Sequence, residues 1–468
     1  LATKTRAFGL GNINQTVVLN RARLIDHGPV RLRSDAVDII EHAIRAADPY
    51  TAAKRLVNLQ GSLLKVGPLE YDLDGWHNIY VIGAGKATQG IARALEEILG
   101  DRLTDGVVVL KRGEASQLSK VRVIYAAHPV PDEGSLRGGQ ALLDVARKAG
   151  AGDLVLATIT GGSSALAILP PEGVSLAEKQ CLNELLLNSG GSIREINAVR
   201  KHVSKIKGGR LALEIFPAEL VSLTVSDVVS DPLDYITDLT VPDTSTFSDA
   251  WATLDKFNLW DKLPRSITQH LQKGQGIESP KEFQGRYHTF VIVPGDAAFQ
   301  GALRRSRALG YETRAIPHEI EGEARFEAQT FVAEAENLFH EASIEKPCSL
   351  IGQGETTATI EGPHGEGGPN QEFALSAAGA IAGQHGTLAA SVDLDGTDGP
   401  TDACGALVDG ETVWRAVESG LDPVEALHNH ASLEVLEKTG DLIFTGPTGT
   451  NVNDLMFVLM DRRPGKPE

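Results

Sequence analysis

The stretch Asn78-Ile-Tyr-Val-Ile-Gly-Ala-Gly-Lys-Ala-Thr88 decides the fold. Its apolar run has the pattern of a strand buried on both faces, and it breaks at Gly83 and Gly85 directly into a helical pattern. A buried strand turning at once into a helix opens a strand–helix–strand unit. Glycines at such a turn predict backbone N–H groups close to a ligand, at a helix N-terminus that favours an anion. Lys86 adds a compact, mobile positive charge at the mouth of the turn. Taken alone, the same residues fit a tight connection with a surface lysine equally well.

Working outward, strand patterns recur at Gly106–Leu110, Val121–Ala126, Asp153–Thr160 and Leu220–Val225. Helical patterns stand at Lys86–Leu99 and Gly139–Ala149. This alternation predicts an α/β protein with largely parallel sheets. Ligands of such sheets bind beyond the carboxyl ends of the strands, so what each strand runs into matters most. Asp153–Thr160 runs into Gly161-Gly162-Ser163-Ser164, a second glycine turn able to cradle an anion. Val121–Ala126 runs into His128-Pro-Val-Pro-Asp132. Leu220–Val225 runs into Ser226-Asp227, where a carboxylate suits a magnesium ion or, equally, a helix cap. The basic run Ile196–Arg210 carries Arg200, Lys201, Lys205, Lys207 and Arg210, and helical spacing sets Lys201 and Lys205 on one solvated face.

Residues 241–285 read as a helical connector, after which a second alternation begins at Thr289–Val293. The expected division is 35–285 and 286–468. Residues 1–34, with six Lys or Arg against Asp26, form a basic extension that is flexible or, alternatively, part of an organellar leader. A helix starts at Ser34 as N-cap, and a shorter one covers Thr51–Gly61. Glycine-rich turns crowd the last part of the chain: Gly352–Thr357, Gly365–Glu372, the acidic run from Asp393 to Asp402, and Gly446–Asp454. No glutamate closes the acidic run at the twelfth position of a calcium loop, so it reads as a turn with one or two functional aspartates.

With 468 residues, two domains are the default. A net charge of −18 argues against a nucleic-acid or membrane-surface partner. Three widely spaced cysteines, Cys181, Cys348 and Cys404, point to a reducing, cytoplasmic compartment without a disulfide framework.

Seven motifs in fixed order resemble the glycerate 2-kinase family: GAGKA at 83–87, TGGSSAL at 160–166, SDVVSDP at 226–232, GETT at 354–357, NQE at 370–372, DGTDGPTDA at 396–403 and TGPTGTNVNDL at 445–455. The resemblance implies an N-terminal Rossmann-like domain, a C-terminal part known as the MOFRL domain, and an active site in the cleft between them. It implies phosphorylation of D-glycerate by ATP with magnesium, giving 2-phosphoglycerate, and places the family's catalytic lysine on Lys86. One departure stands out. The family form GGRNQE carries an active-site arginine where this chain has Pro369, which brings neither charge nor N–H. Arg325, Arg200 and Lys205 are candidate replacement cations.

The expected roles are therefore these. Lys86, Arg325 and Asp227 are catalytic, and Asp227 and Asp395 hold the metal. Gly83, Gly85, Gly161, Gly162, Ser163, Ser164, Asn197, Arg200, Lys205, Glu355, Asn370, Asp398, Thr448 and Asn451 bind substrate or nucleotide. Rival readings are an NAD(P)H-dependent hydroxypyruvate reductase, a kinase of a related sugar acid, and a sugar-acid sensor. Against the reductase, the third glycine of the dinucleotide fingerprint is missing, and the next strand ends in Lys111-Arg112 rather than an acid.

Overall fold

The structure, a computed structural model, describes residues 16–226, 233–274, 278–341 and 346–461. Asp227, and with it all of the SDVVSDP motif but Ser226, lies outside the described residues. Two compact units divide the chain. One is continuous from Pro49 to Pro294, and the other joins the chain up to Asp48 to the chain from Gly295 onward.

The continuous unit begins with β1 (Val57–Gln60), β2 (Leu63–Val66) and β3 (Leu69–Asp72), a small antiparallel sheet turning at Gly61 and Gly67. The expected helix over Thr51–Gly61 is therefore shorter, Pro49–Leu56, and gives way to a hairpin. These strands are four residues long, too short for an alternating pattern to stand out.

The main sheet holds β4 (Ile79–Ala84), β5 (Asp105–Lys111), β6 (Arg122–Ala126), β7 (Leu154–Ile159), β8 (Glu219–Val225) and β9 (Tyr287–Val293), in the order β6-β5-β4-β7-β8-β9. All its pairings are parallel. Every residue of β4, β7 and β8 is buried, as apolar runs covered on both faces must be. The chain lays β4 to β6 outward in one direction, then β7 to β9 in the other. The carboxyl ends of β4 and β7 thus adjoin at the point where the winding reverses, the ligand-binding position of doubly wound sheets.

Two expectations change here. The strand read as opening the second domain is β9, which completes the first sheet beside β8, so the unit closes at Pro294 and not near 285. The connector 241–285 belongs to the same unit. Phe247, Leu254, Ile267 and Leu271 pack against Leu182, Leu186 and Val199 in a separate helical core.

The other unit contains β10 (Glu312–Ala315), β11 (Ile320–Glu323), β12 (Cys348–Thr357), β13 (Thr387–Val392), β14 (Gly405–Asp409), β15 (Leu442–Ile443) and β16 (Asp454–Met460). Its order is β10-β12-β16-β13-β14-β15, with β11 also on β12. β10 and β11 run parallel to β12, and the remaining pairings are antiparallel. Gly352–Thr357, expected as a turn, continues β12. Gly354 is required because a Cβ there would overlap the backbone of Ile320 on β11. The helices Ala324–Glu341 and Pro369–Ala380 meet edge-on through Phe331 and Phe373, with ring centres 5.9 Å apart.

Residues 16–34 are no flexible extension. The helix Val30–Ala46 starts four residues before Ser34. From it the fully buried Arg33 donates to Asp409 at 2.7 Å and to Asp441 at 2.6 Å. A buried guanidinium with two carboxylates is a strong tether, since removing either side leaves uncompensated charge. Among the described residues, no helix is long and apolar enough to cross a membrane.

Candidate functional site

At the switch point the two glycine turns are bonded to each other. The Lys86 amide donates to the Gly161 carbonyl at 2.9 Å, the Ala87 amide to Thr160 Oγ1 at 3.2 Å, and Thr88 Oγ1 to the Thr158 carbonyl at 2.6 Å. The glycines of β4 serve this packing. A Cβ on Gly83 would overlap Thr158 Oγ1, and one on Gly85, whose φ is +133°, would overlap Thr160 Oγ1. The first turn is therefore not a nest of open N–H groups, as its sequence suggests. Its amides bond to the second turn, and the Lys86 side chain lies over Gly162.

Gly162, at φ +86°, lies beneath two side chains: a Cβ there would stand 3.3 Å from Lys86 Cγ and 3.4 Å from His128 Nε2. His128 follows β6 in a loop pinned by Asp132, whose carboxylate accepts from the amides of Ala127 at 3.2 Å and Ser135 at 3.1 Å and pairs with Arg112. Gln180 Nε2 donates to the Pro131 carbonyl at 2.7 Å, holding the loop from its other side. Burial lowers the His128 pKa to about 4, and the charges of Lys86 and Lys111 act in the same direction. The ring is neutral at pH 7.

On the other side of the second turn, Lys207 Nζ donates to Ser164 Oγ at 2.7 Å and to Asp238 at 2.9 Å. Nearby, the buried Lys179 donates to the backbone carbonyls of Val203 at 2.9 Å and Arg200 at 3.4 Å. Burial and the neighbouring Lys207 and Arg200 hold its pKa well below the ordinary lysine range. Burial lowers the Lys207 pKa too, against the pull of Asp238. The Arg200 guanidinium, half-buried, has no hydrogen-bond partner among the described residues, and its Nε is shut off from solvent. Three basic side chains thus surround one described carboxylate, Asp238, on the side of Ser164. The chemistry of this donor set fits an anionic ligand such as a phosphate chain or a carboxylate.

The basic run does not behave as one solvated face. Lys201 is buried between Asp234 at 2.6 Å and Asp243 at 3.2 Å, Lys207 is buried against Asp238, and Lys205 is exposed. Asn197 shares a helix face with Arg200 and is half-buried. The structure thus gathers Lys86, Gly161 to Ser164 and Arg200 around the switch point. It leaves Lys205 at the surface and adds Lys179, Lys207 and His128, which the sequence reading did not select. His128 had a usable signal, its place at a strand end.

The remaining expected residues lie in the other unit. Asp398, expected to bind ligand, is a helix cap: its carboxylate accepts from the amides of Asn370 at 3.1 Å and Gln371 at 2.9 Å. Pro369 occupies the first position of that helix, where its missing N–H costs nothing. Asn370 is also committed, donating to Asp454 at 2.8 Å and accepting from Ser391 Oγ at 2.6 Å. Thr448 Oγ1 donates to the Leu394 carbonyl at 2.6 Å and its amide to the Asp395 carbonyl at 3.1 Å, locking two glycine turns together. Asn451 is buried beside them, and Asp395 sits in the facing turn. Arg325 is ion-paired with Glu323 at 3.0 Å. Glu355 is exposed on β12. Burial, then Asp393, Asp398 and Glu355, raise the Asp454 pKa well above the carboxylate range. Among the described residues, no group of three or more His, Cys, Asp or Glu could hold a metal ion.

Comparison with known proteins agrees with this layout. Residues 35–272 match the family described as a domain of unknown function, DUF4147, and residues 348–454 match the MOFRL family. The chain is 41% identical over 441 residues to the glycerate 2-kinase of Pyrococcus horikoshii, covering 93% of this chain and 99% of that one. It is 38% identical to the D-glycerate 2-kinase of Thermotoga maritima, over 92% of this chain and 99% of the relative. A putative hydroxypyruvate reductase of Agrobacterium vitis is 36% identical over 81% of this chain and 86% of its own length. The crystal structure of a glycerate kinase from Thermotoga maritima superposes with a TM-score of 0.79 at 37% identity, over 92% of this chain and all of that one. Motif order, fold and relatives agree: the chain belongs to the glycerate 2-kinase family.

Proposed function

We propose that this chain is a glycerate 2-kinase that transfers a phosphoryl group from ATP to the 2-hydroxyl of D-glycerate, giving 2-phosphoglycerate and ADP. The observation that carries this reading is the arrangement at the switch point, where Lys86 stands over Gly162, Lys207 bonds to Ser164 and Asp238, and Arg200 feels the charge of the same Asp238. Phosphoryl transfer asks a protein for little covalent chemistry and much positioning and charge neutralisation. Lys86 supplies a point charge to the oxygens of the transferring group, and its stem is held by the turn-to-turn hydrogen bonds. Lys207, its Nζ fixed by Ser164 and Asp238, and the unpaired Arg200 hold anionic oxygens. Against an overall charge of −18, this local concentration of cations is what draws two anionic reactants to one place.

ATP would bring its own magnesium, which neutralises phosphate charge when bound. Magnesium typically takes one or two protein carboxylates and fills its shell with water and phosphate, and Asp227 and Asp395 are the carboxylates proposed to hold it. The reductase reading rests on the strand–GAG–helix pattern and on the names of some relatives. The occupied amides of Lys86 and Ala87 argue against it, since a dinucleotide pyrophosphate needs those N–H groups open.

The test is ADP formation with D-glycerate and magnesium-ATP, run beside oxidation of NADH and NADPH with hydroxypyruvate. Glycerate-dependent ADP formation, lost at least ~100-fold in Lys86→Ala, is the expected result. Unchanged turnover in that variant, or hydroxypyruvate-dependent oxidation instead, would falsify it. A panel of longer sugar acids in the same assay separates glycerate from its relatives.

A further inference from the structure

We infer that His128 is the general base that takes the proton of the substrate hydroxyl. The inference rests on the kinase reading and assigns a residue that this reading leaves open: Lys86, Lys207 and Arg200 are given to charge neutralisation, and none of them is given the hydroxyl proton.

Geometry selects His128. Its Nε2 and the Lys86 stem border the same point above Gly162, 3.4 and 3.3 Å from where a side chain would begin. Glycine at that position leaves room for a substrate between the two. The imidazole makes no hydrogen bond to any described residue, so Nε2 keeps its lone pair available. The loop itself is fixed: Asp132 holds the Ala127 amide, and Gln180 holds the Pro131 carbonyl. A ring on a pinned loop, with an unused acceptor edge beside the proposed catalytic lysine, has the placement a base requires. The one described carboxylate of the constellation, Asp238, is bonded to Lys207, which also donates to Ser164.

In the step, the 2-hydroxyl oxygen forms a bond to the γ-phosphorus of ATP. The bond from that phosphorus to its bridging oxygen breaks, and its electron pair leaves with ADP. The hydroxyl proton passes to Nε2 of His128, which requires the tautomer protonated at Nδ1, and then to solvent. The charged groups facing the ring are Lys86, from the turn after β4, and Lys111, at the end of β5. Arg112 and Asp132, on the flanking segments, neutralise each other. Burial, and after it the two lysines, keep the ring neutral and weakly basic. A bound carboxylate and phosphate offset those charges and raise the basicity of the ring, so it becomes a competent acceptor when substrates are in place.

The test compares the wild-type chain with His128→Gln and His128→Ala, using D-glycerate and magnesium-ATP. In His128→Gln, kcat is expected to fall at least ~100-fold with KM for glycerate changed by less than about threefold. The acid limb of the pH profile should flatten, and added imidazole should restore part of the turnover of His128→Ala. In the wild type, the acid limb of kcat should lie at higher pH than that of kcat/KM, because kcat reports the substrate-bound enzyme. An independent readout is the ring itself. Its NMR titration in the wild-type chain is expected near pH 4 without ligand and at higher pH with D-glycerate bound.

A His128→Gln enzyme within about threefold of wild type and with its acid limb intact overturns the assignment. So does a loss confined to KM, or a ring titration that glycerate leaves unmoved; this last readout decides even if neither variant folds. A wild-type chain that forms no ADP with glycerate sinks the kinase reading first, and the base with it.

Discussion

The Lys86 amide donates to the carbonyl of Gly161 at 2.9 Å, and this bond makes one rigid body of two turns that lie 75 residues apart in sequence. Its rigidity depends on Gly85, where φ is +133° and a Cβ would overlap Thr160. Gly85→Ala should therefore cost about 2–4 kcal/mol, combining backbone strain with overpacking. Urea unfolding measures it, and near-wild-type stability would show that the turns do not pack this way. Activity should fall further than stability explains, because Lys86 moves with the turn.

The three cations proposed to stand in for the missing family arginine have different surroundings, and their variants should separate. Arg200 has no hydrogen-bond partner among the described residues, Arg325 is paired with Glu323, and Lys205 is exposed. Arg200→Ala should lower kcat/KM at least ~100-fold, within the range known for arginines acting on transferring phosphoryl groups. Lys205→Ala should leave it within about twofold of wild type. Steady-state kinetics with D-glycerate decides, and the reverse order would remove Arg200 from the site.

Asp398 caps the helix Pro369–Ala380 through the amides of Asn370 and Gln371. Asp398→Ala should cost about 1–3 kcal/mol, the penalty for losing a cap and stranding buried donors. The magnesium dependence of turnover should stay as it is. A shifted magnesium requirement without a stability loss would return Asp398 to the role its motif suggested.

Arg33 should matter for stability in a pH-dependent way. Burial opposes the charged form of Asp441, but Arg33, His27 and Arg415 outweigh it and hold its carboxyl below the usual range. A depressed folded-state pKa contributes stability above the unfolded value of 3.8, and that contribution is lost as pH falls through the folded value. Arg33→Met should destabilise by roughly 3–5 kcal/mol near neutral pH. The gap to wild type should narrow in acid below the unfolded carboxylate pKa. Thermal unfolding across pH shows this, and a gap constant with pH would mean that the tether works through packing.

Much of the fold was legible because its signals are local. Buried strands such as β4, β7 and β8 read as apolar runs, and each strand's end was visible in glycine, serine or aspartate. Lys86 and the Gly161–Ser164 turn followed from that rule. The hairpin after Leu56 was missed because its strands are too short to show a period. Strand β9 was placed in the wrong domain because a parallel pairing with β8 leaves no mark on either segment.

The amino-acid order by itself determined that this is an α/β chain, that its chemistry gathers at strand ends, and which family its motifs resemble. All three depend on residue type within a few positions. Tertiary structure alone decided which polar residues are available. Lys201, Lys205 and Lys207 stand in one basic run, yet one is buried against two carboxylates, one is exposed, and one is aimed at Ser164. Charge and spacing cannot distinguish them, because partners such as Asp234, Asp238 and Asp243 lie more than thirty residues away. The same holds at the opening stretch. Its glycines promised open amides, but packing against Thr158 and Thr160 uses those amides within the fold and sets the Lys86 side chain next to His128 over Gly162.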